Sequence, residues 1–250
     1  MSIYSYIGRG EIYLKNRAVA ASAPVSIGNC SELQITTEED VQTLNDFTRG
    51  GGGKDDELRR ISSVRASFNL HNLSPANLAI ALNADVDVPN TGAVTDEEHI
   101  AYSGGLVDFT KLPDTSEAIT VTDDPMTVTY VEGTDYIVNG AGIVPLAGGD
   151  IADASNILVS YTPIASTTIE ALTQASSEFK FTFVGLNEAK SNRPVVVELH
   201  RWKNGVLGSL PLITDEFAGP TLSGECLRDG AITGATLSQF FRVRMANAAA

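Results

Sequence analysis

Apolar and polar residues alternate one for one in several separate stretches, and this period of two commits much of the chain to extended backbone. In SVRASFNLHN, Val64, Ala66, Phe68 and Leu70 fall on one side, and Arg65, Ser67, Asn69 and His71 on the other. In EFKFTFVGL, Phe179, Phe181 and Phe183 alternate with Lys180, Thr182 and Val184. PVVVELHRW and QFFRVRM read the same way, the latter with Phe241, Val243 and Met245 opposite Arg242 and Arg244. Successive side chains of a strand point to opposite faces, so each stretch is expected to be a half-buried strand. The chain is therefore expected to be mainly β.

One helix interrupts the pattern. LSPANLAIALNA offers Ser74 as N-cap, Pro75 at the first helical position, and Leu78, Ala81 and Leu82 along one stripe. A single short amphipathic helix beside an antiparallel sheet is expected to cover one face or end of it. From about Thr91 to Pro163 the texture changes to Thr, Asp, Gly and Pro. Short apolar runs such as MTVTYV, DYIV and ILVSYT are separated by EGT, NGAG and AGGD, which have hairpin spacing and turn chemistry. This predicts a β-rich insertion over residues 91–164, placed between two halves of a core formed by 1–90 and 165–250.

Seventeen Lys and Arg against 31 Asp and Glu give a net charge of -14, which argues against a surface built to grip nucleic acid or anionic lipid. No stretch approaches the ~18 apolar residues of a membrane-spanning helix. MSIYSYIGRG lacks the basic and apolar regions of a signal peptide, so the protein is expected to be made and used without export. Cys30 and Cys226 have neither disulfide-framework nor metal-site spacing and are expected to be small buried side chains.

The segment TRGGGGKDDELRR, Thr48 to Arg60, puts four glycines before a lysine and a run of acids. It is not a P-loop, because Asp55 stands where Ser or Thr is needed and Thr48 stands where the first glycine is needed. Asp55 and Asp56 would also repel a dinucleotide at a helix N-terminus. His71, His99 and His200 are far apart, with His99 expected in a loop, and no histidine or cysteine pair has zinc spacing. No G-x-S-x-G elbow occurs. The acid clusters at Glu38-Glu39-Asp40, Asp55-Asp56-Glu57, Asp96-Glu97-Glu98 and Asp123-Asp124 lie in turn-rich surroundings and lack calcium-loop spacing. No enzyme activity, cofactor or metal is expected.

The order of features resembles one family. GNCSELQITTEEDVQTLNDFTRGGGGKDDELRRISSVRASFNLHNLSPANLAIAL is similar to the major tail tube proteins of long-tailed bacteriophages: a G-N-x-S-E-L strand, an acidic EED segment, a Gly-rich loop, an arginine-bearing strand and an N-L-a-x-A-L helix. Gly28 to Glu32, Glu38 to Asp40, Gly50 to Gly53, Arg59 to Leu70 and Asn77 to Leu82 carry these in order. The middle segment and the closing VVVELHRWKNGVLGSLPLITDEFAGPTLSGECLRD are similar to an insertion and to the final strands of that family, so the resemblance covers nearly the whole chain.

The resemblance implies a β-sandwich or barrel-like tail-tube core with one flanking helix. Copies of it would assemble as sixfold rings stacked into a hollow tube through which DNA is ejected, as a virion protein made in the host cytoplasm. The implied partners are other copies of the chain, with the tape measure protein and DNA in the lumen. Baseplate or tail-tip, terminator and sheath proteins would be further contacts, and no membrane is involved. An acidic lumen would let a duplex slide, and strands around Val64 to Leu70 and Phe179 to Val184 are candidates for the inner wall. Asn45 to Arg60 is expected to be disordered in a single subunit. It would become ordered between rings, with Gly50, Gly51, Gly52, Gly53, Lys54, Asp55, Asp56, Glu57, Arg59 and Arg60 forming the inter-subunit loop. The alternatives are a terminator or baseplate ring, or a monomeric β-sandwich binding or decoration module. The single Trp202 and scattered tyrosines give the module little support.

Overall fold

A computed structural model of the chain describes residues 5–89 and 91–246. Asn90, the last residue of the expected first core segment, and residues 1–4 and 247–250 lie outside the described residues. The protein is mainly β. In chain order its elements are β1 Gly8–Asn16, β2 Val25–Ser26, β3 Cys30–Asn45, β4 Lys54–Leu70, α1 Pro75–Leu82, β5 Asp85–Asp87, β6 Val94–Ala101, β7 Val107–Asp108, β8 Thr120–Asp123, β9 Thr129–Tyr130, β10 Tyr136–Asn139, β11 Gly142–Pro145, β12 Ser155–Tyr161, β13 Thr168–Glu170, β14 Glu178–Asn187, β15 Arg193–Asn204, β16 Thr221–Cys226 and β17 Phe241–Met245. The chain divides into two compact units, Met1–Asp85 with Ile169–Ala250, and Val86–Thr168.

The first unit is one hydrogen-bonded sheet in the order β2-β1-β14-β15-β16-β4-β3, with β17 added on β15. The corner is in β15: Val195 to Leu199 pair with β17, whereas Trp202 to Asn204 pair with β16. A β-bulge in the pairing with β14, between Phe179 and Phe181, sits beside this switch. A strand that changes partners at a bulge turns a sheet through a corner. The consequence shows in the core. Laid flat, β14 and β4 would be three strand spacings or roughly 14 Å apart, yet the rings of Phe181 and Phe68 lie 6.0 Å apart. Trp202 fits between them, 6.1 Å from Phe68 and 5.7 Å from Phe181. The sheet has curled around its own apolar face, where Ile12, Val64, Leu199 and Leu222 complete the core. Truncating one of these aromatic side chains to alanine would cost about 3–5 kcal/mol.

The helix covers one end of this core. Ser74 accepts a hydrogen bond from the Asn77 amide, Pro75 opens the first turn, and Asn83 ends the helix in the left-handed region. Of the expected stripe, Ala81 is buried and Leu82 packs half-buried against the core, whereas the helix's other buried position is Asn77 rather than Leu78. Asn77 is satisfied there because its Nδ2 donates to the carbonyls of Ile27 and Asn72, both at 2.8 Å. Asn204 of β15 donates to Ile80 O at 2.7 Å and Asn83 Oδ1 at 2.8 Å, tying the helix end to the sheet.

The second unit packs a four-stranded sheet, β6-β12-β8-β9, against a three-stranded sheet, β10-β11-β7. Val121, Ile157 and Val159 from the first and Tyr136, Ile143 and Val107 from the second share one core. β5 and β13 pair with each other where the chain passes between units.

Candidate functional site

β3 and β4 are the longest strands, and only their inner halves have a core to cover. From Cys30 to Ile35, and from Val64 to Leu70, their apolar side chains are buried or half-buried. Beyond Thr36 and Ser63 the two strands continue as a paired arm that reaches Asn45 and Lys54, with register Asp40↔Arg60, Val41↔Arg59, Gln42↔Leu58 and Thr43↔Glu57. About ten residue pairs at ~3.3 Å each make it roughly 30 Å long. Val41, Leu44, Leu58 and Ile61 are exposed along it, and Phe47 at its tip is 83% exposed.

The register sorts the arm's charges by face. On one face Glu39, Thr43 and Val41 lie opposite Ile61, Glu57 and Arg59. Arg59 pairs there with Glu57 and, at 3.4 Å, with Glu39, while Lys54 also pairs with Glu57. These charges are compensated within the arm. On the other face Glu38, Asp40, Leu44, Asp56 and Leu58 are accompanied by Arg60. Among the described residues no ion pair neutralises Asp40 or Asp56.

The segment expected as the inter-subunit loop is in part strand. Lys54 to Arg60 form regular strand, because their backbone pairs with β3. The loop is Asp46 to Gly53, closed by the Asp46 amide donating to Gly53 O at 2.8 Å. The Thr48 amide adds a bond to Asp46 Oδ1 at 2.7 Å. The four glycines are not equivalent. Gly51 has φ +85°, and a Cβ on Gly52 would stand 2.1 Å from Asp46 O; one on Gly50 or Gly53 would meet nothing. Two glycines are demanded by the turn and two are not.

Three further features carry no sequence signal of comparable strength. β3 pairs only with β4 and β17 only with β15, so among the described residues each leaves one edge open. The loop between β15 and β16 holds Leu212 at 83%, Ile213 at 99% and Phe217 at 100% exposure. Exposed apolar side chains grouped in this way mark contact surfaces. A cleft of about 680 Å³ opens where β1 (Gly8, Arg9, Gly10) and β3 (Cys30, Ser31, Leu33) face each other.

Groups capable of chemistry are engaged structurally. Ser31 Oγ lies 2.8 Å from His71 Nε2, but His71 Nδ1 faces the Ala218 carbonyl at 3.2 Å, where a catalytic triad has a carboxylate. This contact holds the β15–β16 loop to β3. His99 is in strand β6 rather than a loop, with its Nε2 3.1 Å from Glu97 Oε1. Burial works against the charge on Glu97. The Thr110 amide at 2.9 Å and Tyr161 hydroxyl at 2.8 Å outweigh it and hold the carboxyl below its usual range. Burial and the Glu97 carboxylate push the Tyr161 phenol up to about 12. Cys226 is buried and Cys30 half-buried, and burial pushes both thiols up to about 11. Among the described residues no group of His, Cys, Asp and Glu is arranged to hold a metal ion. Among the described residues no helix is long and apolar enough to cross a membrane.

A mainly β protein with a coreless hairpin arm and open sheet edges is the class these features define. The chain belongs to the family described as Protein of unknown function UCP028589, which matches residues 5–244. It matches no curated protein.

Proposed function

We propose that this chain is a structural subunit whose copies close into rings and stack as the hollow tail tube of a long-tailed phage. The reading rests on the resemblance of the chain to tail tube proteins, and the observation that supports it most is the β3–β4 arm. A two-stranded hairpin is marginal alone, and this one extends well past its core with Val41, Leu44, Phe47, Leu58 and Ile61 facing outward. A neighbouring copy is the partner that gives such an arm something to cover. Ring closure and stacking need one surface to meet a different surface on the next copy, and the open edges of β3 and β17 are suited to that. The subunit would act in the virion, with the tape measure protein and then DNA passing through the lumen, and it performs no catalysis.

Negative-stain electron microscopy of the purified chain over a range of concentration tests this. Hollow tubes, or rings with stain-filled centres, are the expected result. Compact single particles at every concentration, including after addition of tail-tip components as a nucleus, would refute it.

A further inference from the structure

On a chain of net charge -14, one sheet face has the opposite sign. It is the outer face of β1, β14, β15 and β17, the side turned away from the core. The strand registers place Lys15 opposite Lys180, Tyr13 beside Thr182, Glu198 and Arg242, and Glu11 beside Val184, Val196 and Arg244. Three cations converge on one carboxylate. Glu198 is paired with Arg242, with Arg244 at 3.2 Å and with Lys180 at 3.6 Å. Its side chain is only 7% exposed, while the three cations are 42–59% exposed. One negative charge therefore anchors three positive ones that remain open to solvent.

A second observation points the same way. Lys15 and Lys180 are directly cross-strand, and like charges in that position repel and destabilise the pair. Lys15 has no ion pair among the described residues. Glu11, the nearest acid on its strand, already accepts from the Tyr13 hydroxyl at 2.7 Å. A surface that keeps this repulsion is relieved by an anionic partner.

We infer that this basic face receives the acidic face of the β3–β4 arm of a second copy. The arm's other face is net acidic: it carries Glu38, Asp40 and Asp56 against the single Arg60 opposite Asp40, with Leu44 and Leu58 between them. The receiving face carries Lys15, Lys180, Arg242 and Arg244 with Val184, which is 47% exposed, between its strands. Charge meets opposite charge and apolar meets apolar. Among the described residues no ion pair joins the arm to this face within one chain. Charge complementarity of this kind fixes which surfaces meet and in what register. A nucleic acid is the weaker candidate, because the remainder of the surface repels it.

The inference rests on the tube reading and names its contact. The test uses the full chain at about 0.1 M salt, with assembly followed by sedimentation velocity. The receiving-face variant is Lys15→Glu with Arg244→Glu, which leaves Glu198 with Lys180 and Arg242. The arm variant is Asp40→Lys with Asp56→Lys. Each is expected to lower the assembled fraction at least tenfold while the monomer keeps its circular dichroism spectrum. An equimolar mixture of the two, or one chain carrying all four changes, is expected to recover assembly. Normal assembly by either variant would overturn the inference and leave the tube reading standing. Failure of the unaltered chain to associate would overturn both. Loss of duplex DNA binding in the receiving-face variant, with assembly unchanged, would reassign the face to nucleic acid and overturn the inference.

Discussion

Replacing Glu198 by Gln removes one charge and keeps the side chain's shape, so it isolates what that carboxylate does for the first unit. Its partners are Arg242, Arg244 and Lys180, and two of them lie on β17, which is held to the sheet only through β15. Because the cations are half exposed, each pair stays near the surface range of about 0.2–1 kcal/mol. The loss of all three is then about 1–2 kcal/mol, or a fall in melting temperature of roughly 2–8 °C for a unit of this size. The hydrogen bond from Arg242 outweighs burial and holds the Glu198 carboxyl below its ordinary value. A group whose pKa is lowered on folding stabilises fully above its unfolded value, about 4.3, and loses that contribution as pH falls through the folded value. The gap between wild type and Glu198→Gln should therefore be full at pH 7 and close under acid conditions. Added salt should narrow it. Thermal denaturation followed by circular dichroism at pH 7 and below pH 3 measures both. Equal melting temperatures at neutral pH, or a gap that persists undiminished in acid, would refute the reasoning.

Deleting Gly50 to Gly53 should abolish assembly and shift the melting temperature by no more than about 2 °C, because the loop covers no core; normal tubes in the microscope would contradict this. Gly224→Ala should be costly, since a Cβ there would lie 2.4 Å from Lys203 O and 2.5 Å from the Trp202 ring; a destabilisation of about 1–3 kcal/mol is expected, with Gly50→Ala as the neutral comparison in the same denaturant titration. Cys30 and Cys226 should resist alkylation at pH 8 in the folded chain and react after unfolding, because thiols pushed up to about 11 carry little thiolate there; rapid native-state labelling by mass spectrometry would show that one of them is not buried in solution.

Alternation made the inner strands legible. Phe68, Phe179, Phe181 and Leu199 are core residues because one face of each strand is buried, and burial is what imposes a period of two. Ser74 and Pro75 marked the start of the helix for a local reason that tertiary packing did not override. Asn77 was not legible as a buried position, since its place depends on two carbonyls distant in the fold or outside the helix. Lys54 to Arg60 were read as part of a loop because neither face of the arm is buried, so its residues carry no alternation; backbone pairing and cross-strand contacts such as Arg59 with Glu39 hold it. The basic face could not be found from residue spacing. Lys15, Lys180, Arg242 and Arg244 are scattered along the sequence, and only the registers of β1, β14, β15 and β17 bring them together.

The acidic net charge and the basic face act at different distances, and that difference has a kinetic consequence. An open strand edge invites unplanned pairing, and β3 offers one along its length. Two copies each carrying -14 repel over the Debye length, which is about 30 Å at 0.01 M salt and about 8 Å at 0.15 M. That repulsion keeps copies apart whatever their orientation. Contact between an arm and a basic face brings opposite charges to within about 4 Å, well inside the Debye length at 0.15 M and comparable to the ~3 Å length reached at 1 M. Raising salt from 0.01 to 0.15 M should therefore accelerate association by screening the general repulsion first. Only toward 1 M should it slow again, as the specific contact is screened. A rate that rises and then falls in light scattering is the signature of orientation-selective attraction on a repelling surface. A monotonic rise would mean that apolar burial alone joins the copies, and a monotonic fall that the net charge does not govern encounter.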